Sequence, residues 1–318
     1  MAQQSHAMLP FAKNEKGSPM TWTPPPYADP ATFTEHELTQ LAGTVTLPKE
    51  PARVGVVLLS GSGPFDRDGT SGPNKPIKDL AWGLATQGIA VLRFDKSTAN
   101  RPEAMSEPGY TMTSEYVPPA IAAVHALKQH VDQVFLVGHS MGGKVAPKIA
   151  AEEPLVAGVV IMAGDTQPMQ HSAVRVMRYL AETTPEVVPP GTVELFEHQA
   201  AVVDSDLAPN TPSTELPFGL PASFWLDLKT YDAVATAAKL DVPILVLQGG
   251  RDYQVTVTDD LPAWRARLPD ATIKVLDADN HFFFEGTGPS TMSDYQLPGH
   301  VDPAAVTAIT AWLAEHTT

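Results

Sequence analysis

Six short apolar, β-rich runs constrain this chain more than any other feature: Val54–Leu59, Ile89–Phe94, Val134–Val137, Val156–Met162, Ile244–Leu247 and Thr272–Leu276. A strand with one face in water alternates apolar and polar residues, so continuous apolarity belongs to strands covered on both faces. Helical patterns fall between the runs, at Ile77–Thr86, Ser114–Gln129, Met141–Glu152, Thr258–Arg267 and Pro303–His316. Strand and helix in repeated alternation imply right-handed parallel crossovers. The expected fold class is therefore α/β, a doubly wound, mostly parallel sheet. Ahead of it, Glu35–Leu47 holds two short segments about Gln40–Gly43 and reads as an entry hairpin.

The alternation breaks once. Residues 165–239 separate two sheet strands by about 75 residues, where roughly 2 to 6 residues are usual. Helical patterns at Ser172–Ala181 and Thr192–Val203, and a proline-rich stretch at Pro209–Pro221, make this an inserted helical cap. Residues 35–164 and 240–318 then form one core. Residues 1–34, with Pro10, Pro19, Pro24, Pro25, Pro26 and Pro30, are expected to be an extended arm.

Composition removes several classes of function. No cysteine is present, so there is no disulfide framework, thiolate metal site or cysteine nucleophile. The formal charge of -15, with no basic patch, repels phosphate backbones and anionic lipid, so neither nucleic acid nor membrane is an expected partner. No apolar run approaches roughly 18 residues, and Met1 to Lys16 lacks the basic start and long apolar stretch of a secretory signal. A soluble, cytoplasmic protein is expected, acting on a small molecule; its oligomeric state stays open.

The strongest local signal is Gly138-His139-Ser140-Met141-Gly142, between an apolar strand and a helix. A nucleophile on a sharp strand-to-helix elbow sits in a strained conformation, and glycines two before and two after it supply room. A serine hydroxyl needs a base, and the base needs a carboxylate to fix its tautomer. His281, in the loop Asp277-Ala-Asp-Asn-His281 after a strand, is the best of ten histidines. His139 adjoins Ser140 and reads as a packing residue, while His300 is the rival base. Asp252, in Gly249-Gly250-Arg251-Asp252 after another strand, is the candidate acid, with Asp165 as runner-up. Asp277 and Asp279 lack a second histidine at metal-ligand spacing, so no metal site is expected.

These motifs resemble the α/β-hydrolase superfamily over roughly Glu35 to His316. SGSGPFDRDG, VLRFDKS, GHSMGGKVAPKIA, LQGGRDYQV and NHFFFEGTG are similar to bacterial serine carboxylesterases related to dienelactone hydrolases and serine aminopeptidases. The resemblance implies ester hydrolysis through an acyl-enzyme without a cofactor: Ser140 as nucleophile, His281 as general base then acid, Asp252 as its orienter. It further implies an oxyanion hole made by the backbone amide of Met141 and one from the Ser60–Gly69 loop, Ser62 or alternatively Gly63. That loop is no dinucleotide cradle, since Asp66 stands where a third glycine is needed and Pro64 has no amide hydrogen. Its charges, Asp66, Arg67 and Asp68, are expected to brace it. One departure from the branch is visible: Ser97 follows Lys96 where arginine is common.

The cap is expected to cover the strand ends. Phe218, Phe224, Trp225 and Leu226, with Tyr253 and Phe282, Phe283 and Phe284, are the aromatic and apolar residues that could line an acyl pocket. Residues 165–239 also hold ten acidic and four basic side chains, a charge that would suit the cationic amine end of a peptide. Small or medium carboxylic esters are the expected substrates. Thioester, acyl-transfer or peptide chemistry by the same residues, and a non-catalytic small-molecule receptor, remain alternatives. Pro147, inside the expected helix after Ser140, should remove a backbone hydrogen bond.

Overall fold

The computed structural model describes residues 21–317. Most of the expected N-terminal arm, Pro10 and Pro19 included, lies outside the described residues. Trp22 packs edge-on against Trp82, and its indole N–H donates to Asp79 at 2.7 Å. The first strand begins within the expected arm, at Phe33.

β1 (Phe33–Leu38) and β2 (Gly43–Pro48) form the entry hairpin, its turn ending at Ala42 with φ of 45°. β3 (Val54–Leu59), α1 (Pro76–Thr86), β4 (Ala90–Phe94), α2 (Met112–Lys128), β5 (Gln133–His139), α3 (Met141–Glu152) and β6 (Val156–Met162) follow in alternation. Between β6 and the next strand, the chain carries α4 (Met169–Thr183), α5 (Thr192–Asp204), α6 (Ala222–Lys229) and α7 (Ala233–Ala237). β7 (Ile244–Gly249), α8 (Leu261–Arg267), β8 (Thr272–Leu276) and α9 (Pro303–Glu315) complete the core. α6 and α7 are too short to leave a helical pattern in the sequence, and α6 directly follows the proline-rich stretch. α3 runs without interruption through the buried Pro147.

The strands lie in the order β1-β2-β4-β3-β5-β6-β7-β8. β2 pairs antiparallel with both β1 and β4, and every later pairing is parallel. Alternate residues of β3 serve opposite faces. Val57 and Leu59 join the core under α2 and α3, whereas Val56 and Leu58 join that under α1 and α9. This two-sided burial is the reason the strand is apolar at successive positions.

The chain leaves β3 for β4 on one side and returns to β5 on the other. Crossovers that diverge in this way open a crevice at the carboxyl ends of the strands. Leu59 pairs with Gly138, so the loop after β3 and the turn after β5 emerge side by side. Among the described residues no helix is long and apolar enough to cross a membrane.

Candidate active site

Ser140 stands at the turn from β5 into α3 with φ of 56° and ψ of -121°. A non-glycine residue there is strained and persists only where its surroundings enforce it. Here the enforcement is close packing: a β carbon on Gly138 would lie 2.3 Å from the Gly142 carbonyl oxygen, and one on Gly142 would lie 2.5 Å from that of Leu59. The Ser140 N–H donates to the Met162 carbonyl at 2.8 Å, tying the elbow to β6. The Met141 amide, at the start of α3, has no partner among the described residues.

The candidate acid and base meet across the ends of β7 and β8. A β carbon on Gly250 would lie 2.6 Å from the Asp277 Cα, and one on Gly249 2.6 Å from the Asn280 carbonyl oxygen, so both glycines permit the loops to approach. Asp252 Oδ1 accepts the amides of Gln254 and Val255 at 2.8 and 3.0 Å. Its Oδ2 lies 2.7 Å from His281 Nδ1. A carboxylate can only accept, so Nδ1 carries the proton and Nε2 keeps its lone pair as a base. Asn280 Oδ1 accepts the amides of Phe282 and Phe284 at 2.9 and 3.1 Å, shaping the turn in which Phe283 has φ of 59°.

His139 belongs to the wall of this arrangement. Its Nε2–H donates to the His281 carbonyl at 2.7 Å. Burial, followed by the neighbouring His281, pushes its pKa down to about 3, so it stays neutral. The rival base His300 is held by the buried Asp79 at 3.0 Å, and the rival acid Asp165 pairs with Lys144 at 2.8 Å. Among the described residues no three His, Cys, Asp or Glu side chains are grouped to hold a metal ion.

Ser62, Gly63, Ser140, His281, Tyr253 and Phe282 line one cavity of about 370 Å³, together with Phe218 from the stretch between β6 and β7. Ser140 and His281 both line it, with no hydrogen bond between their side chains. Phe224 and Trp225 do not reach it, a correction to the sequence-based expectation. Both are in the core, where Phe224 stacks on Tyr110 with ring centroids 5.7 Å apart and meets Trp225 edge-on. The apolar face of α6 is covered by the body of the protein, which a pattern of aromatic residues cannot distinguish from facing a ligand. Phe283 and Phe284 are likewise core residues. Met105, Met169, Met292 and Tyr295 line the cavity without having been singled out. They come from distant, mostly aperiodic segments, and no local motif marks them.

The charged loop is braced as expected. Arg67 Nε and Nη2 each meet the Asp95 carboxylate at 3.0 Å, and Nη1 reaches Glu37 at 2.7 Å. Asp66 accepts the Thr70 amide and hydroxyl at 2.8 and 2.6 Å. Burial works against the Asp68 carboxylate, but Lys75 at 2.7 Å, with Arg93 and Lys78, outweighs it and holds its pKa below the ordinary value. At the departure noted above, Ser97 Oγ donates to Glu115 at 2.6 Å.

A doubly wound sheet with a serine elbow, and an acid and a histidine on later strand ends, defines an α/β hydrolase. A family model described as serine aminopeptidase, S33, matches residues 74–284, and the chain belongs to that family. It is 35% identical over 299 residues to the esterase EstD of Thermotoga maritima, covering 92% of this chain and 70% of that one. The fold is similar to that of Est1E from Butyrivibrio proteoclasticus, with TM-score 0.54 and 14% identity over 90% of this chain and 98% of that one. A Pyrococcus furiosus esterase is also similar, with TM-score 0.51 and 15% identity over 90% and 92% of the two chains.

Proposed function

We propose that the protein is a serine carboxylesterase that cleaves small or medium esters with an apolar acyl group. The observation that carries this reading is His281, bonded to the buried Asp252 at 2.7 Å, which opens with Ser140 onto a cavity walled by Phe65, Ile77, Met169, Phe218, Phe282 and Met292. The similarity to an esterase over most of both chains supports it.

In this reading His281 Nε2 takes the Ser140 proton as Oγ adds to the ester carbonyl carbon. The oxyanion is held by the amides of Met141 and the Ser60–Gly69 loop. The same imidazole returns its proton to the departing alkoxide, leaving an acyl-enzyme and a free alcohol. Water, deprotonated by His281, then attacks the acyl carbon and releases the acid. Residues 165–239 act as a cap, since Met169, Phe218 and Leu220 close one side of the cavity.

One observation weighs against a peptidase selecting a free amino terminus. That chemistry calls for a carboxylate facing the substrate amine, and among the described residues no Asp or Glu lines the cavity, despite the ten acidic residues of 165–239. The test is hydrolysis of a p-nitrophenyl ester series against the matching anilides, with a serine-directed fluorophosphonate as label. Ester turnover and labelling, both lost in Ser140→Ala, are expected. Ester turnover retained in that folded variant would overturn the reading.

A further inference from the structure

The segment after β4, Asp95-Lys96-Ser97-Thr98, grips the loop after β3 at both ends. Asp95 accepts the Arg67 amide at 2.7 Å, and the Lys96 amide donates to the Phe65 carbonyl at 3.2 Å. At the other end, Lys96 Nζ donates to the Gly61 carbonyl at 3.1 Å, and the Tyr116 hydroxyl donates to the same oxygen at 2.7 Å. Having given its proton to Gly61, the Tyr116 oxygen accepts from Lys96 Nζ at 2.9 Å. Glu115 lies 3.7 Å from Lys96 and is itself held by Ser97 and Thr98 hydroxyls at 2.6 and 2.7 Å. Lys96, Glu115 and Tyr116 are all buried. Burying an ammonium is costly, and desolvation pulls the Lys96 pKa down to about 8 against the opposing pull of Glu115.

None of these three side chains borders the cavity, whereas Ser60, Gly61, Ser62 and Gly63 all do. The Gly61 carbonyl is therefore drawn to the side of the loop away from the cavity. In a trans peptide the carbonyl and the following N–H point in opposite directions, so the same two bonds turn the Ser62 N–H inward. Gly61 lies against the nucleophile, because a β carbon there would be 3.2 Å from Ser140 Cβ. Among the described residues the Ser62 carbonyl accepts no hydrogen bond, so the Gly63 N–H lacks any such restraint.

We propose that Lys96 and Tyr116 are positioning residues for the oxyanion hole: by clamping the Gly61 carbonyl from behind, they fix the Ser62 N–H toward the carbonyl oxygen of a substrate on Ser140. The inference rests on Ser140 as nucleophile. Glu115, with Ser97 and Thr98, keeps the lysine in place, which gives the unusual Lys96-Ser97 pair a use.

The test compares wild type, Lys96→Met and Tyr116→Phe by kcat and KM on a p-nitrophenyl ester and by Ki for an alkyl trifluoromethyl ketone, a transition-state analogue. Deleting an oxyanion donor costs about 100- to 1,000-fold in kcat, and loosening one is expected to cost about 10- to 100-fold. KM should change by less than about twofold, and Ki should rise by the factor that kcat/KM falls. A purely structural role would lower Tm while leaving the ratio of Ki to KM unchanged, and that outcome overturns the proposal. So do folded variants whose kcat and Ki match wild type. Should Lys96→Met fail to fold, Tyr116→Phe decides, since it removes one hydroxyl and keeps the ring. Fluorophosphonate labelling of wild type separates the two levels. Absence of a Ser140 adduct overturns the nucleophile and this inference together, whereas an adduct with unaffected variants overturns the inference alone.

Discussion

Arg67 and Asp95 meet through two parallel N–H···O bonds of 3.0 Å, and the Arg67 amide gives the same carboxylate a third at 2.7 Å. The two residues come from the loop after β3 and the segment after β4, so the pair ties the Ser60–Gly69 loop to its neighbouring strand. Bidentate, charge-assisted contacts fix geometry as well as contributing energy. Arg67→Ala leaves Asp95 partly buried without its cation. Denaturant unfolding is expected to show a loss of about 2 to 3 kcal/mol, together with a lower kcat. Full stability and full activity would remove the bracing role.

Asp252 fixes the tautomer of His281, so Asp252→Asn should present the wrong ring nitrogen to Ser140. The expected result is a loss of about 1,000- to 10,000-fold in kcat with little change in KM, read from steady-state ester hydrolysis. Near-wild-type turnover would mean another group orients the base.

Gly142→Ala would set a β carbon 2.5 Å from the Leu59 carbonyl oxygen and 2.7 Å from that of Ser60, both backbone atoms at the root of the Ser60–Gly69 loop. Neither can swing aside as a flexible side chain would. Overpacking of this kind costs about 1 to 3 kcal/mol, visible as a lower Tm, and the displaced loop should lower kcat in the same variant.

Trp225 and Phe282 separate core from cavity wall. Trp225 is fully buried, so Trp225→Ala should cost about 3 to 5 kcal/mol and leave acyl-chain preference unchanged. Phe282→Ala, at the cavity surface, should instead shift that preference toward longer or bulkier acyl groups across an ester panel.

Asp279 is buried, and burial, then the neighbouring Asp302 and Glu285, raise its pKa to about 8. An unfolded aspartate titrates near about 3.9. The folded chain therefore keeps a proton that the unfolded chain releases. This contribution to stability is full below the unfolded value and is lost as pH rises toward about 8. Asp279→Asn should raise Tm, more at pH ~9 than at pH ~5. An equal effect at both would show that the carboxyl titrates normally.

How much was legible in advance follows from range of interaction. The runs Val54–Leu59 and Val156–Met162 coincide with β3 and β6, because two-sided burial writes itself into consecutive residues, whereas Thr272–Leu276 matches the edge strand β8, whose burial alternates. Ser140, Asp252 and His281 were readable for a similar local reason: each sits on a strand end whose glycines or tight turn leave a mark within a few positions. The sequence by itself thus determined the doubly wound sheet and singled out three candidate residues beside its strand ends. Only the tertiary structure decided that Phe224 and Trp225 are core while Met105 and Tyr295 face the cavity, because facing depends on what distant elements cover. Only it brought Lys96, Tyr116 and Gly61 together across three elements, since no spacing in a sequence records which way a peptide carbonyl points.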